Sequence, residues 1–309
     1  MNSAGGLGVL VSLLIFPGGL FILANGLVFE WIDRKLVARL QNRIGPRWYQ
    51  PLADIVKLLA KEEVVPERAD PRLFFALPVV ALAGVLTAVL YLPIAGWFTY
   101  SFPGDLIVAV YMLSLLTLCT GLAGANTRNR FALVGATRTL TQLFSYEVPF
   151  FLAMLGPAVV ARSWQIADIM TYGSQRWLLI IQPIGFVVAL IGLMGKLEMR
   201  PFDAPEAETE IVAGALTEYS GRGLALFYLG RNVELVGGLT LVAAFYLGGI
   251  YNVLDYFLKT GGLLMGLAAL QTLMTRLRID QTVGLWWRIG ALMALAQWLI
   301  LIVVGEVML

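Results

Sequence analysis

The 309-residue chain is 59% hydrophobic and 14% charged, with a mean hydropathy of +0.80 and a net charge of +2. A soluble domain carries about 25% charged residues, so this composition belongs in a bilayer and no nucleic-acid partner is expected. One cysteine, Cys119, and no histidine exclude protein-ligated iron–sulfur, haem and Cys/His zinc sites, and with them His-based nucleophilic triads.

From Gly5 to Phe29 there is no charged residue, enough chain to cross a core of about 30 Å at about 1.5 Å per residue. This predicts a first membrane helix, uncleaved because it lacks a basic n-region. The segment from Asp33 to Arg72 is rich in Lys and Arg. Within it Leu52, Ile55, Val56, Leu58 and Leu59 recur at helical spacing after the Gly45-Pro46 turn and Pro51, which predicts an amphipathic helix on the membrane surface. Further apolar runs cover about 73–92, 105–125, 139–161, 177–197, 224–250, 260–275 and 285–305. With the first, these predict an all-α integral membrane protein of eight transmembrane helices forming one unit over residues 1–309.

Alternate connections, about 33–72, 126–138, 196–223 with the nearby Arg231, and 276–288, hold all of the basic residues except Arg162, Arg176 and Lys259. By the positive-inside rule those connections are inner and both termini lie outside the cell membrane. Gly261, Gly262 and Gly266 allow the short seventh run to tilt or pack closely. No internal repeat supports a secondary transporter built from inverted halves.

The acidic residues carry the functional signal. Glu147 stands nine residues past Arg138, about 13 Å along a helix and so near mid-membrane. An ionised carboxylate there costs several kcal/mol unless paired, which favours a charge-handling role over a structural Glu bonded to Tyr146 or Gln142. Glu234 either relays charge or pairs with Arg231 at i,i+3. Glu30 and Asp33, beside Arg34 and Lys35, read as boundary ion pairs, and Glu306 as solvated.

The densest cluster is Glu198, Asp203, Glu206, Glu208, Glu210 and Glu218, set between two apolar runs. Asp203-Ala204-Pro205-Glu206 has the form of a capping box with proline in the first turn, predicting a helix that starts at Asp203. Capping needs two acids, not six. Glu206 and Glu210 at i,i+4 would repel, and such a cluster titrates as a coupled set, which favours a proton-handling antechamber over a plain solvated face. Arg276, Arg278 and Asp280 add charge on the same side, as anchors, as partners of the acidic loop, or as partners of a peripheral protein.

Arg34-Lys35, Gln41-Asn42-Arg43-Ile44-Gly45-Pro46, Gln50-Pro51-Leu52-Ala53-Asp54 and Lys61-Glu62 resemble the first inner loop of the complex I subunit at the quinone-chamber entrance. Ser145-Tyr146-Glu147-Val148, Glu198 through Glu210, Thr217-Glu218-Tyr219-Ser220-Gly221 and Arg276 through Gln281 follow in the order of that family. Only Arg47, Trp48 and Tyr49 separate Pro46 from Gln50, a compact loop more like the membrane-bound NiFe hydrogenase and sulfane sulfur reductase branch.

The resemblance implies a tilted bundle joining peripheral redox-arm subunits (hydrogenase-like large and small chains and a ferredoxin-like Fe–S subunit) to antiporter-like membrane subunits. It implies a relay through Glu147, Glu198, Asp203, Glu206, Glu208, Glu210 and Glu234, and a docking surface at Arg34, Lys35, Arg43 and Asp54. No cofactor is expected in this chain; Fe–S clusters, and NiFe in the hydrogenase case, belong to partners. The expected function is coupling of ferredoxin-driven chemistry to proton or sodium translocation, with the acceptor left open between proton, sulfur and quinone. Its rivals are a quinone-site subunit of complex I type, a stand-alone transporter and a purely structural anchor.

Overall fold

The computed structural model describes residues 11–307. The Gly5 start of the first run and both termini lie outside the described residues, as do the side chains of Glu208 and Glu306. Among the described residues the regular elements are helical: α1 Gly19–Leu40, α2 Gln50–Ala60, α3 Pro71–Leu90, α4 Asp105–Asn126, α5 Arg130–Ala161, α6 Ile166–Gln175, α7 Pro183–Lys196, α8 Gly221–Tyr246, α9 Val253–Leu273 and α10 Ile279–Leu285. A π turn at Trp286–Gly290 carries α10 into α11, Ala291–Val307.

Among the described residues six stretches are long and apolar enough to cross a membrane: Val11–Leu40, α3, α4, α5, α9 and Ile279–Val303. The other two expected runs form α7, 14 residues long and so about 21 Å, and α8, which carries Arg231 and Glu234. Helix starts follow from sequence. The Asp70 side chain accepts from Arg72 N–H with Pro71 at the first position of α3, and the Asn129 side chain accepts from Phe131 N–H at the start of α5. Both satisfy amides that the first turn leaves free.

Helix α8 is the centre of the bundle. Every residue from Asn232 to Tyr246 is buried, and the helix packs on α1, α2, α3, α4, α7 and α9. A helix apolar on all sides is stable only when enclosed in this way. Small residues let the neighbours approach: a Cβ at Gly238 would stand 2.3 Å from Leu193 Cδ1 on α7. The amphipathic helix expected in the first connection is α2. It buries Pro51 and Ile55 and exposes Leu52, Val56 and Leu59 at i, i+4 and i+7.

The four charged connections meet at one end of the bundle. Asn126 and Asp70 exchange hydrogen bonds of 3.0 and 3.2 Å, Arg138 reaches Glu210, and Leu277 N–H donates to Pro201 C=O at 3.0 Å. At the other end Ile166 N–H donates to Asp105 at 2.8 Å and Lys259 donates to Gly249 C=O at 2.7 Å.

Two expectations are corrected. No helix starts at Asp203: the chain turns through 204–206, and only a four-residue turn, Glu208–Ile211, follows. The Asp203 carboxylate is taken by Arg276 at 3.2 Å and Arg200 at 3.5 Å, so it caps nothing. A Cβ added at Gly261, Gly262 or Gly266 would meet nothing within 4 Å, so these glycines mediate no close packing among the described residues.

Candidate functional site

The acidic loop is seated by backbone packing as well as by charge. The turn Gly214–Leu216 lies against α4 and α5. A Cβ at Gly135 of α5 would come within 2.3 Å of Ala215 N, so only glycine admits the loop backbone there. From the same helix, buried Gln142 donates to Gly195 C=O and to Phe202 C=O, both at 2.9 Å. One amide thereby clamps both sides of the segment holding Lys196 and Glu198. Gln142 is not a partner of Glu147.

Arginines then bind the acids one by one. Arg138 lies 2.8 Å from Glu210 and donates to Ala204 C=O at 3.3 Å; Arg276 bridges Asp203 and Glu210 at 3.2 and 3.5 Å. Glu206 pairs with Arg231, so Glu206 and Glu210 do not face each other as an i,i+4 helix would require. Opposite charges within reach outweigh the local repeat. Arg138 and Arg276 also hold the exposed Glu210 carboxyl below its ordinary range. Glu218 takes a hydrogen bond from Asn129, the residue that caps α5.

A line of charge leads inward from this loop. Arg231 holds Glu206 on one side and Glu198, at 2.7 Å, on the other. Beyond Glu198 is a cavity of about 10 Å³ lined by Thr117, Thr120, Lys196, Glu198, Arg231 and Glu234, room for about one water molecule. Past it, Lys196 Nζ lies 3.3 Å from Glu234 Oε1 and donates to Ser114 Oγ at 3.2 Å. Side-chain exposure falls along the line, from 42% at Glu206 to 7% at Glu198, 2% at Glu234 and 0% at Lys196. The expected Arg231–Glu234 pair is replaced by these longer-range partners, because the loop and α7 each bring an opposite charge.

Glu198 is held with unusual care. It follows the end of α7 at φ +52°, a left-handed conformation that costs a non-glycine residue about 1–2 kcal/mol. Burial pushes its carboxyl up to about 7, because the guanidinium that opposes this effect is shared with Glu206, whose own charge adds to it. Such a group exchanges protons near neutrality.

Glu147 is half-buried on α5 and makes no ion pair or hydrogen bond among the described residues. Its neighbour Tyr146 lies within electrostatic reach of Glu234, Glu147 and Glu198. Pro149, two residues on, leaves the Ser145 C=O without its helical donor. Of the boundary acids, Glu30 pairs with Arg34 and accepts from Asn232 at 2.6 Å, whereas the buried Asp33 Oδ1 has no hydrogen-bond partner among the described residues.

The other expected surface residues divide. Arg34 also approaches Asp54 at 3.5 Å, Asp54 accepts from Gln50 at 2.9 Å, and Lys35 donates to Gly45 C=O at 3.5 Å. Arg43, Arg278 and Asp280 are exposed. A second cavity of about 350 Å³ lies between the end of α1 and the 41–46 segment, with Asp33, Arg34, Arg43, Arg200 and Gln271 among its walls. In sequence, Lys196 registers only as topological charge, Arg231 as that and as a local partner for Glu234, and Gln142 only as a partner for Glu147. The burial of Lys196 and Gln142 and the long-range pairing of Arg231 emerge only from the packed bundle.

The NADH dehydrogenase family profile matches residues 12–302. A NADH-quinone oxidoreductase subunit from Dehalococcoides mccartyi (strain CBDB1) is 32% identical over 301 residues, covering 94% of this chain and 84% of the relative. The same subunit from Geobacillus sp. (strain WCH70) is 34% identical over 300 residues, covering 90% of each chain. In structure, a chain of the membrane-bound sulfane sulfur reductase, an archaeal respiratory membrane complex, superposes with a TM-score of 0.86 at 23% identity, covering 94% of this chain and 98% of that one. With nearly its whole length matched, this all-helical membrane protein belongs to the NADH dehydrogenase family.

Proposed function

We propose that the chain is the membrane subunit of a ferredoxin-driven, ion-translocating respiratory complex, and that it does no redox chemistry itself. Peripheral subunits carrying the Fe–S clusters, and NiFe in a hydrogenase-type complex, dock on the charged end formed by Arg34, Lys35, Arg43, Asp54, Arg278 and Asp280. A change there moves the acidic loop and alters how Arg231 is shared between Glu206 and Glu198. Proton affinity at Glu198 then changes, and a proton passes through the small cavity to Glu234 and on towards Glu147 and antiporter-like neighbours. Eight crossings of the cell membrane with both termini outside fit the gathering of charged connections at one end.

The observation that carries this reading is the graded burial from Glu206 to Lys196. A solvated acidic face has no reason to continue into a bundle core, where each charge costs several kcal/mol to desolvate. The test is E198Q in the assembled complex, reconstituted in vesicles and driven by reduced ferredoxin. Ion uptake per electron should collapse; undiminished uptake of both protons and sodium at normal turnover would exclude the relay.

The second reading is a quinone-site subunit. The cavity of about 350 Å³ beside the first inner connection and the names of the curated relatives favour it. Quinone copurifying with the complex, displaced by quinone-site inhibitors, would establish it.

A further inference from the structure

Lysine is almost never fully buried unless paired, yet the Lys196 side chain is 0% exposed. A basic residue in the last turn of a helix suits the helix dipole, and an exposed lysine would serve that purpose without desolvation. Nor is the Lys196–Glu234 pair needed to join α7 to α8, because Leu193 already packs onto Gly238. A buried ion pair is weak support for stability and often no better than apolar residues of the same shape. A reason for keeping it lies in what stands opposite. Across the small cavity two carboxylates, Glu198 and Glu234, are each backed by one cation, Arg231 on the loop side and Lys196 on the core side.

We infer that Lys196 is a positioning residue for proton passage, its ammonium being the counter-charge that lets Glu234 give up the proton it receives from Glu198. This rests on the relay reading above. The two cations differ in a way that gives direction. Arg231 is divided between Glu198 and Glu206 on a loop, so its hold on Glu198 changes when the loop moves. Lys196 is anchored by Ser114 on α4 and its hold on Glu234 stays constant. When Arg231 turns to Glu206, Glu198 takes a proton; when Arg231 returns, the proton leaves the Glu198 carboxyl and Glu234 gains it. Without Lys196, burial alone would keep the proton on Glu234, and the line would stall after one transfer.

The groups facing Glu234 are Lys196 on α7, Arg231 on its own helix, Glu198 on the loop, Tyr146 on α5, and Thr117 and Thr120 on α4. The test uses the assembled complex as wild type, K196M, K196R, E198Q, E234Q, K196M/E234Q and K196R/E234Q. Infrared pH titration, taken as the difference between each form and its E234Q counterpart, isolates the Glu234 carboxylic-acid band. That band should persist to higher pH in K196M than in the wild type, and K196R should restore the wild-type titration. In vesicles, K196M should lose ion uptake per electron. K196M/E234Q, with both charges gone and its packing kept, should stay uncoupled. An unmoved band, or wild-type coupling in K196M/E234Q, would overturn the inference and leave the pair as a structural tie. If E198Q and E234Q both translocate normally, the relay reading itself has failed. If they are uncoupled while K196M is not, only the role of Lys196 has.

Discussion

The Arg231 guanidinium lies 2.7 Å from the Glu198 carboxylate while also holding Glu206, so a single cation ties the loop to the helix at the centre of the bundle. Replacing it by glutamine leaves Glu198 buried with no cation. Breaking such a pair costs about 3–5 kcal/mol, and the partial exposure of Arg231 and Glu206 puts R231Q at the lower end. R231K should be intermediate, because one ammonium cannot serve two carboxylates as a planar fork does. Thermal unfolding in detergent checks both. R231Q melting with the wild type would show that the loop is held by its other contacts alone.

The raised Glu198 carboxyl gives a signed pH dependence. Folding lifts it from 4.5 to about 7, so the folded state binds the proton more tightly than the unfolded one. Its contribution is fully present below pH 4.5 and is lost as pH rises through about 7. Glu210 has the opposite sign: its lowered carboxyl stabilises above the ordinary carboxylate range, and that contribution is lost as pH falls through its folded value. In unfolding scans, E198Q should remove the decline between pH 4.5 and about 7, and E210Q should soften the acid-side loss. A decline that survives E198Q would assign it to another group.

The membrane class, the surface helix and the acidic loop were legible because composition, helical spacing and local charge density are properties of the chain alone. Of the acids' partners only Arg276 was, as one of the readings of its charge; Arg138 and Arg231 were not, because they are far away in sequence and meet the loop only after the helices pack. Local rules failed at the loop for that reason. The capping pattern at Asp203 and the i,i+3 pairing of Arg231 with Glu234 are correct as local preferences, but opposite charges from the loop, the 276–278 connection and α7 displace them. Lys196 reads as a topological marker in sequence, and only its burial gives it another meaning.

Gly135 offers a test of the loop that changes no charge. G135A sets a methyl 2.3 Å from Ala215 N, and backbone cannot yield as a flexible side chain would. The expected cost is about 1–3 kcal/mol, with the Gly214–Leu216 turn displaced and coupling reduced. G262A is the control, since its Cβ meets nothing within 4 Å and a Gly to Ala change inside a helix gains about 0.4–1 kcal/mol. Equal melting of G135A and G262A would show that the loop does not depend on this close approach.

Gln142 should matter more than its neutral side chain suggests. Its amide donates to carbonyls on either side of Glu198, and Q142L would leave both without that donor in a buried site. Each loss costs about 1–3 kcal/mol when no water replaces it. The chain between Gly195 and Phe202 would then be free to shift, and Glu198 with it. Amide exchange over residues 196–203 should accelerate in Q142L while α8 stays protected, and ion uptake should fall although every charged residue is intact. Unchanged exchange there would mean that the arginines alone hold Glu198 in place, and the clamp would have no part in setting the line of charge.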